Sequence, residues 1–134
     1  MARGRFRILP SALAGVEVVA ADSAHAFARH THETFGIGLV ERGAQKSLSG
    51  RGVVEARAGD VITVNPGEVH DGAPIGEAGR AWRMLYIDPA VVAEAAAEIA
   101  PVADAFEFHD PVLADLRIAA RITRVLSAAS DPGS

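Results

Sequence analysis

Residues 29–43, RHTHETFGIGLVERG, and residues 58–72, AGDVITVNPGEVHDG, decide how this chain folds. In the first stretch Phe35, Ile37 and Leu39 recur at every second position, the period of a strand with one buried face. Side chains at i and i+2 of a strand leave on the same side. His30, His32, Thr34, Gly36, Gly38 and Val40 therefore share one face of an unbroken strand, and Phe35, Ile37 and Leu39 share the other. Glycine inside a strand costs stability, so Gly36 and Gly38 mark a close approach by a ligand or another backbone, or else a bulge. In the second stretch Val61 to Val64 is a short apolar strand. It lies between an Ala58-Gly59-Asp60 turn and an Asn65-Pro66-Gly67 break.

The same texture extends outward. Val16 to Ala20, Val53 to Arg57 and Trp82 to Ile87 read as strands, with shorter ones around residues 26–32, 44–48 and 68–72. Ser49-Gly50-Arg51-Gly52 closes a hairpin. Many short strands at this spacing predict a small barrel or sandwich. After Ile87 the pattern turns helical. Asp88-Pro89 supplies a cap and a first-turn proline for a helix through Ala100, and Asp110-Pro111 does the same for a helix from about Val112 to Ala128. On the second helix Arg117, Arg121 and Arg124 fall in one narrow arc, while an apolar set including Leu113, Leu116, Ala120 and Ile122 covers much of the rest. An arc that wide suits either packing on the chain's own barrel or contact with a second subunit. The tail from Ser127 to Ser134 is small, polar and turn-forming, as a linker would be.

The chain has 134 residues, 49% of them hydrophobic and none cysteine, with a formal net charge of −4. That length fits one domain with a real core. The charge has the wrong sign for a protein whose main task is neutralising phosphates. Without cysteine there is no disulfide framework and no thiolate site, so any metal needs His and carboxylate ligands. The opening MARGRFR followed by ILPSALAGVEVVAA imitates a secretory signal, but Glu17 and Asp22 interrupt its apolar part. The expectation is a cytoplasmic protein that does not cross a membrane, since no stretch approaches about 18 apolar residues. Arg3, Arg5 and Arg7 read as a solvated N-terminal tail.

His30, His32 and His70 form the one dense chemical constellation. Two imidazoles spaced by one residue project together, and a third from a neighbouring strand completes a set able to hold a divalent ion such as zinc or nickel. The competing reading is three polar residues lining a barrel mouth. No glycine-rich phosphate loop, nucleophile elbow or carboxylate pair offers a catalytic alternative.

The two signature stretches resemble those of the cupin barrel. Carried on through Ala81-Trp82-Arg83-Met84-Leu85-Tyr86-Ile87-Asp88-Pro89, the chain resembles the sensor domain of AraC-type transcriptional regulators over roughly residues 16–127. The resemblance implies an all-β core, a cupin-like jelly-roll barrel with two C-terminal helices. It divides the chain into an N-terminal arm (1–15) able to fold over the barrel, the barrel (16–87), helices for barrel packing and dimerisation (88–128) and a linker or chain end (129–134). The implied function is effector sensing and homodimerisation, with Leu113, Leu116, Ala120 and Ile122 as dimer contacts. DNA is reached only through helix-turn-helix motifs that these residues are not expected to contain. His30, His32, Gly36, Gly38, Arg42, His70, Trp82 and Met84 become the candidate ligand-binding residues. Arg42, just before Gly43, reads equally as a solvated turn residue.

Two departures bear on chemistry. Metal-binding cupins place a Glu four or five residues after the second His, where this chain has Gly36 and Ile37. At most a three-His site remains, so no cofactor is required and a zinc or nickel ion is optional. Asn65 stands where the second signature ordinarily has Pro, and Pro74 where it ends in Asn. These losses favour a sensor; the alternative is a small metal-dependent isomerase or dioxygenase using the three histidines.

Overall fold

The computed structural model describes residues 5–9, 11–24, 27–30, 32–49, 52–76, 78–99 and 106–130. Among them run strands β1 (Arg5–Leu9), β2 (Val16–Ser23), β3 (Phe27–His30), β4 (Phe35–Ser49), β5 (Gly52–Arg57), β6 (Val61–Val64), β7 (His70–Pro74) and β8 (Arg80–Ile87). Helix α1 (Pro89–Ile99), strand β9 (Val112–Leu113) and helix α2 (Leu116–Ser130) follow. All strand pairs are antiparallel. The ladder runs β1-β2-β8-β4-β6-β9, while β7 joins β3 to β4 and β5 joins β4. This is the expected β core with two C-terminal helices.

The long strand β4 organises the barrel. Its first half lies between β8 and β6, and its second half pairs with β5 and β7. Between the halves the register against β8 slips, Val40 facing Trp82 and Arg42 facing Ala81. One extra residue reverses which side chains face inward. Gly36, Gly38 and Val40 are buried before the slip, whereas Gln45 and Ser47 line the interior after it. The expected parity thus holds from Gly36 to Val40 and inverts beyond it, but the single strand expected from His30 to Val40 is divided, β3 ending at His30 and β4 beginning at Phe35 with His32 and Thr34 between them.

Two apolar clusters lie on opposite sides of this sheet. Ala21, Val40, Ala56, Ile62, Trp82 and Met84 fill the interior. Outside, Val18 and Leu85 pack with Leu126 and Ala129 of α2, flanked by Ile37, Leu39 and Ile122. Leu126 is fully buried, and truncating such a leucine to alanine costs about 2–5 kcal/mol. The amphipathic helix therefore covers the outer face that Ile37 and Leu39 announced.

Turns follow their chemistry. Gly59 and Gly67 have φ of 95° and 75°, open to glycine without strain. The Asp60 N–H donates to the Arg57 carbonyl at 2.9 Å and the Asp60 carboxylate accepts from the Arg57 N–H at 3.0 Å. Ser49 faces Gly52 across the β4–β5 hairpin, whose tip, residues 50 and 51, lies outside the described residues. Asp88 caps α1, its carboxylate accepting from Ala90 N–H at 3.0 Å.

Three local expectations are corrected. The second helix begins at Leu116, because Val112 and Leu113 pair with Ile62 and Val61 instead. Its cap is Asp115, which accepts from the N–H groups of Arg117 and Ile118 at 2.9 and 3.2 Å. The Asp110 and Pro111 carbonyls serve the sheet edge, accepting from the Thr63 hydroxyl at 2.6 Å and the Thr63 N–H at 3.0 Å. The helix also continues to Ser130, with Ala129 wholly buried, where the sequence suggested a linker. Finally, Arg5 to Leu9 are not a solvated tail. They form a strand along β2, where paired backbone groups outweigh the exposure of their side chains. Arg3 lies outside the described residues.

Candidate functional site

A cavity of about 790 Å³ occupies the barrel, within the range of ordinary small-molecule sites. Its wall is built by the inward sides of β2, β4, β6, β7 and β8, and β1 closes one margin through Phe6 and Ile8. Polar groups gather in two places.

The first is imidazole-rich. His32 precedes β4 and His70 opens β7; their ring centroids are 5.2 Å apart, and Tyr86 on β8 lies 5.0 Å from His32. The Glu68 carbonyl lies 3.2 Å from His70 Nδ1, which fits that nitrogen carrying the proton. Burial raises the Tyr86 phenol above its ordinary pKa, with the negative charge of Glu17 adding to the shift. The phenol is therefore a neutral donor at physiological pH. His30 stands opposite His70 in the β3–β7 ladder, but its side chain lies outside the described residues. Among the described residues no three His, Cys, Asp or Glu side chains gather as metal ligands. Of the three histidines that the sequence singles out, His32 and His70 are placed side by side.

The second polar group surrounds Arg80, the first residue of β8. Its side chain has no exposed surface. Nη1 donates to the Ser23 carbonyl at 2.9 Å, Nε to Gln45 Oε1 at 3.4 Å, and the guanidinium carbon lies 4.7 Å from the centre of the Trp82 ring. Burial lowers its pKa, because the charged form loses hydration. The edge of Phe6 meets Trp82 with centroids 5.9 Å apart.

Of the residues singled out from sequence, His32, His70, Trp82 and Met84 line this cavity together. Gly36 and Gly38 face the same side but lie beneath other side chains. A Cβ on Gly36 would come within 3.0 Å of Met84 Cε and 3.3 Å of Tyr86 Cε1, and one on Gly38 would collide with the Arg83 carbonyl and Met84 Sδ. The glycines make room for β8, not for a ligand. Arg42 is on the outer surface, half-exposed in an ion pair with Asp22 at 2.7 Å. Leu113 is on β9, Leu116 and Ala120 are exposed on α2, and Ile122 packs toward the barrel.

Sequence reading passed over Arg80 and Gln45. The i−2 rule from Trp82 points to Arg80, so that signal was present. Gln45 was hidden by the register slip.

Comparison with known proteins agrees with this architecture. The model of the AraC-like ligand binding domain matches residues 13–134. No curated protein matches the chain. A putative mannose-6-phosphate isomerase from Ralstonia eutropha JMP134 is similar in structure, with TM-score 0.57 and 17% identity over 64% of this chain and 85% of that one. KdgF from Halomonas sp. gives 0.55 and 14% over 66% and 84%. An RmlC-like cupin family protein with a double-stranded β-helix fold from Methanocaldococcus jannaschii gives 0.57 and 8% over 64% and 81%. At these identities the likeness shows the cupin fold.

Proposed function

This chain belongs to the family of AraC-like ligand-binding domains, and from that premise we propose that it is a sensor: it binds a small-molecule effector inside the barrel, works without catalysis and relays occupancy through a homodimer to DNA-binding helix-turn-helix modules outside these residues. The observation that carries the reading is the 790 Å³ cavity, with an indole, a buried guanidinium and two imidazoles on its wall. Apolar walls with a few convergent polar groups are what orient a small ligand. The net charge of −4 supports leaving DNA contact to another module. No helix among the described residues is long and apolar enough to cross a membrane, and the proposed place of action is the cytoplasm.

Linkage supplies the mechanism. A ligand that prefers one arrangement of β1, barrel and α2 shifts the population toward it, by no more than its difference in affinity for the two arrangements. Phe6 touches Trp82 at the cavity margin, and α2 packs on the back of the same sheet. Cavity occupancy and helix packing therefore share β2 and β8.

Trp82 is the chain's one tryptophan. A screen of small sugars, aromatic acids and related metabolites should yield a compound that changes its fluorescence and raises the melting temperature. The effect should vanish in Val19→Phe, which places a ring in the cavity. A hit unaffected by that variant, or a broad screen with none, would sink the reading.

A further inference from the structure

Resting on the reading that an effector occupies the barrel, we propose that this effector is an organic amine: its ammonium seats at the rim between Glu17 and Tyr86, and its apolar body runs inward along Val19 and Ile8. Strand parity places these groups. Val18 is buried in the outer cluster beneath α2, so Glu17 and Val19 leave β2 on the cavity side. Glu17 stands opposite Tyr86 in the β2–β8 ladder, Val19 stands opposite Ile8 in the β1–β2 ladder, and all four line the cavity. The rim continues from Tyr86 through His32 to His70, and then to Glu68, whose carbonyl lies against His70. Glu17 and Val19 are two residues apart on one strand, about 7 Å, which is the reach of a short amine. Each of the four residues is at least partly exposed, so a ligand can touch it.

The chemistry of that rim selects a cation. Four carboxylates line the cavity, and two are already engaged: Asp71 accepts from the Leu48 N–H at 2.7 Å, and Asp88 caps α1. Glu17 and Glu68 remain, and among the described residues neither forms an ion pair. Arg80 is the one lysine or arginine on the wall, and with no exposed surface it presents no cationic atom to a ligand. A ligand therefore meets carboxylate oxygens, which only accept hydrogen bonds and which repel an anion. Burial and the charge of Glu17 keep the Tyr86 phenol neutral, which leaves its oxygen able to accept and its ring face as a partner for a cation. Below the rim, Val19, Ile8 and Val64 make the adjoining wall apolar. One ammonium on an apolar body matches both levels, whereas a polyol matches only the first.

The test is calorimetric titration of the chain at about pH 8, above the ordinary pKa of imidazole and below that of an alkylamine, with ligands matched in shape. The sets are phenethylamine, phenethyl alcohol and phenylacetate, then hexylamine, hexanol and hexanoate. At least one amine should bind about tenfold or more tighter than its alcohol, the scale of a charge-assisted hydrogen bond, with the carboxylate weakest of the three. Glu17 is exposed, so Glu17→Gln keeps the fold while removing the charge. It should lower the affinity of that amine about fivefold or more and leave alcohol binding unchanged. Added salt should weaken the amine and spare the alcohol, because part of the rim is open to screening. Alcohols binding as well as amines, carboxylates binding more tightly than amines, or an amine affinity unchanged in Glu17→Gln, would overturn the amine assignment while leaving the cavity reading standing. Silence from every amine at millimolar concentration would also overturn it. The cavity reading is judged separately by the broad screen and Val19→Phe.

Discussion

Asn65 and the backbone of Phe108 hold each other in both directions: the Asn65 amide donates to the Phe108 carbonyl at 2.9 Å, and the Phe108 N–H donates to Asn65 Oδ1 at 2.7 Å. The side chain completes both bonds as a neighbouring strand would. It pins the segment before β9 at the end of the barrel, where Phe35, Phe106 and Phe108 meet edge to face with centroids 5.1 to 5.9 Å apart. The departure from proline noted at this position thus has a structural use. Asn65→Ala should lower stability by about 1–3 kcal/mol, the cost of stranding two partly buried groups. Urea denaturation measures it, and an unchanged midpoint would show that the clasp contributes nothing.

The two strand glycines should respond unequally. At Gly38 an added methyl meets backbone, the Arg83 carbonyl, as well as Met84 Sδ, whereas at Gly36 it meets first the mobile end of Met84 at 3.0 Å. Gly38→Ala is expected to cost roughly 3 kcal/mol or more and Gly36→Ala about 1 kcal/mol, the range of overpacking penalties. Thermal denaturation of both variants ranks them. Equal losses would mean that β8 yields as easily as a methionine side chain.

Tyr86 makes an alkaline prediction with a definite sign. Its native pKa is raised above the ordinary value of 10.0 by burial and by Glu17. The folded protein keeps the phenolic proton when the unfolded chain has lost it. The stabilisation is therefore complete below about pH 10 and disappears as pH rises through the native midpoint. Because Tyr86 is the chain's one tyrosine, its absorbance titration reports the group directly. The native midpoint should lie above that in urea, and Tyr86→Phe should flatten the alkaline fall in stability. Coincident midpoints would refute the burial argument.

The proposed dimer rests on α2, where Leu116 is 85% exposed while Leu126 and Ala129 are buried against the sheet. Leu116→Glu should weaken self-association in sedimentation and leave the strand signal in circular dichroism intact. A chain that stays monomeric at high concentration would remove dimerisation through this helix.

Arg42 gives a contrasting expectation. Its ion pair with Asp22 is about half exposed on both sides, so Arg42→Ala should change stability by about 1 kcal/mol or less. Effector affinity should not change, as the side chain lies outside the barrel. A large loss of binding would require a second site on that face.

Most strands, the cap of α1 and the alternation of Trp82 and Met84 with Arg83 and Leu85 were legible in the sequence, because each depends on neighbours within a few residues. Period-two apolar runs, glycine turns and Asp-Pro pairs act locally and leave a local record. The placement of β9 was not legible in that way. Val112 and Leu113 fit a helix pattern, and only the open edge of β6, some fifty residues earlier, made them a strand.

For the site, the sequence by itself determined that Trp82 and Met84 would share one face of their strand, since side-chain direction follows from strand parity, while their place in the pocket was implied only by the resemblance to AraC-type sensors. The tertiary structure alone decided that Gly36 and Gly38 lie under Met84 and Tyr86, that Gln45 points inward after the slip near Val40, and that Arg80 is wholly buried against Trp82. The physical reason is that a register shift and the burial of a charge are set by pairing between distant strands, and free energies of that kind have no local signature in the chain.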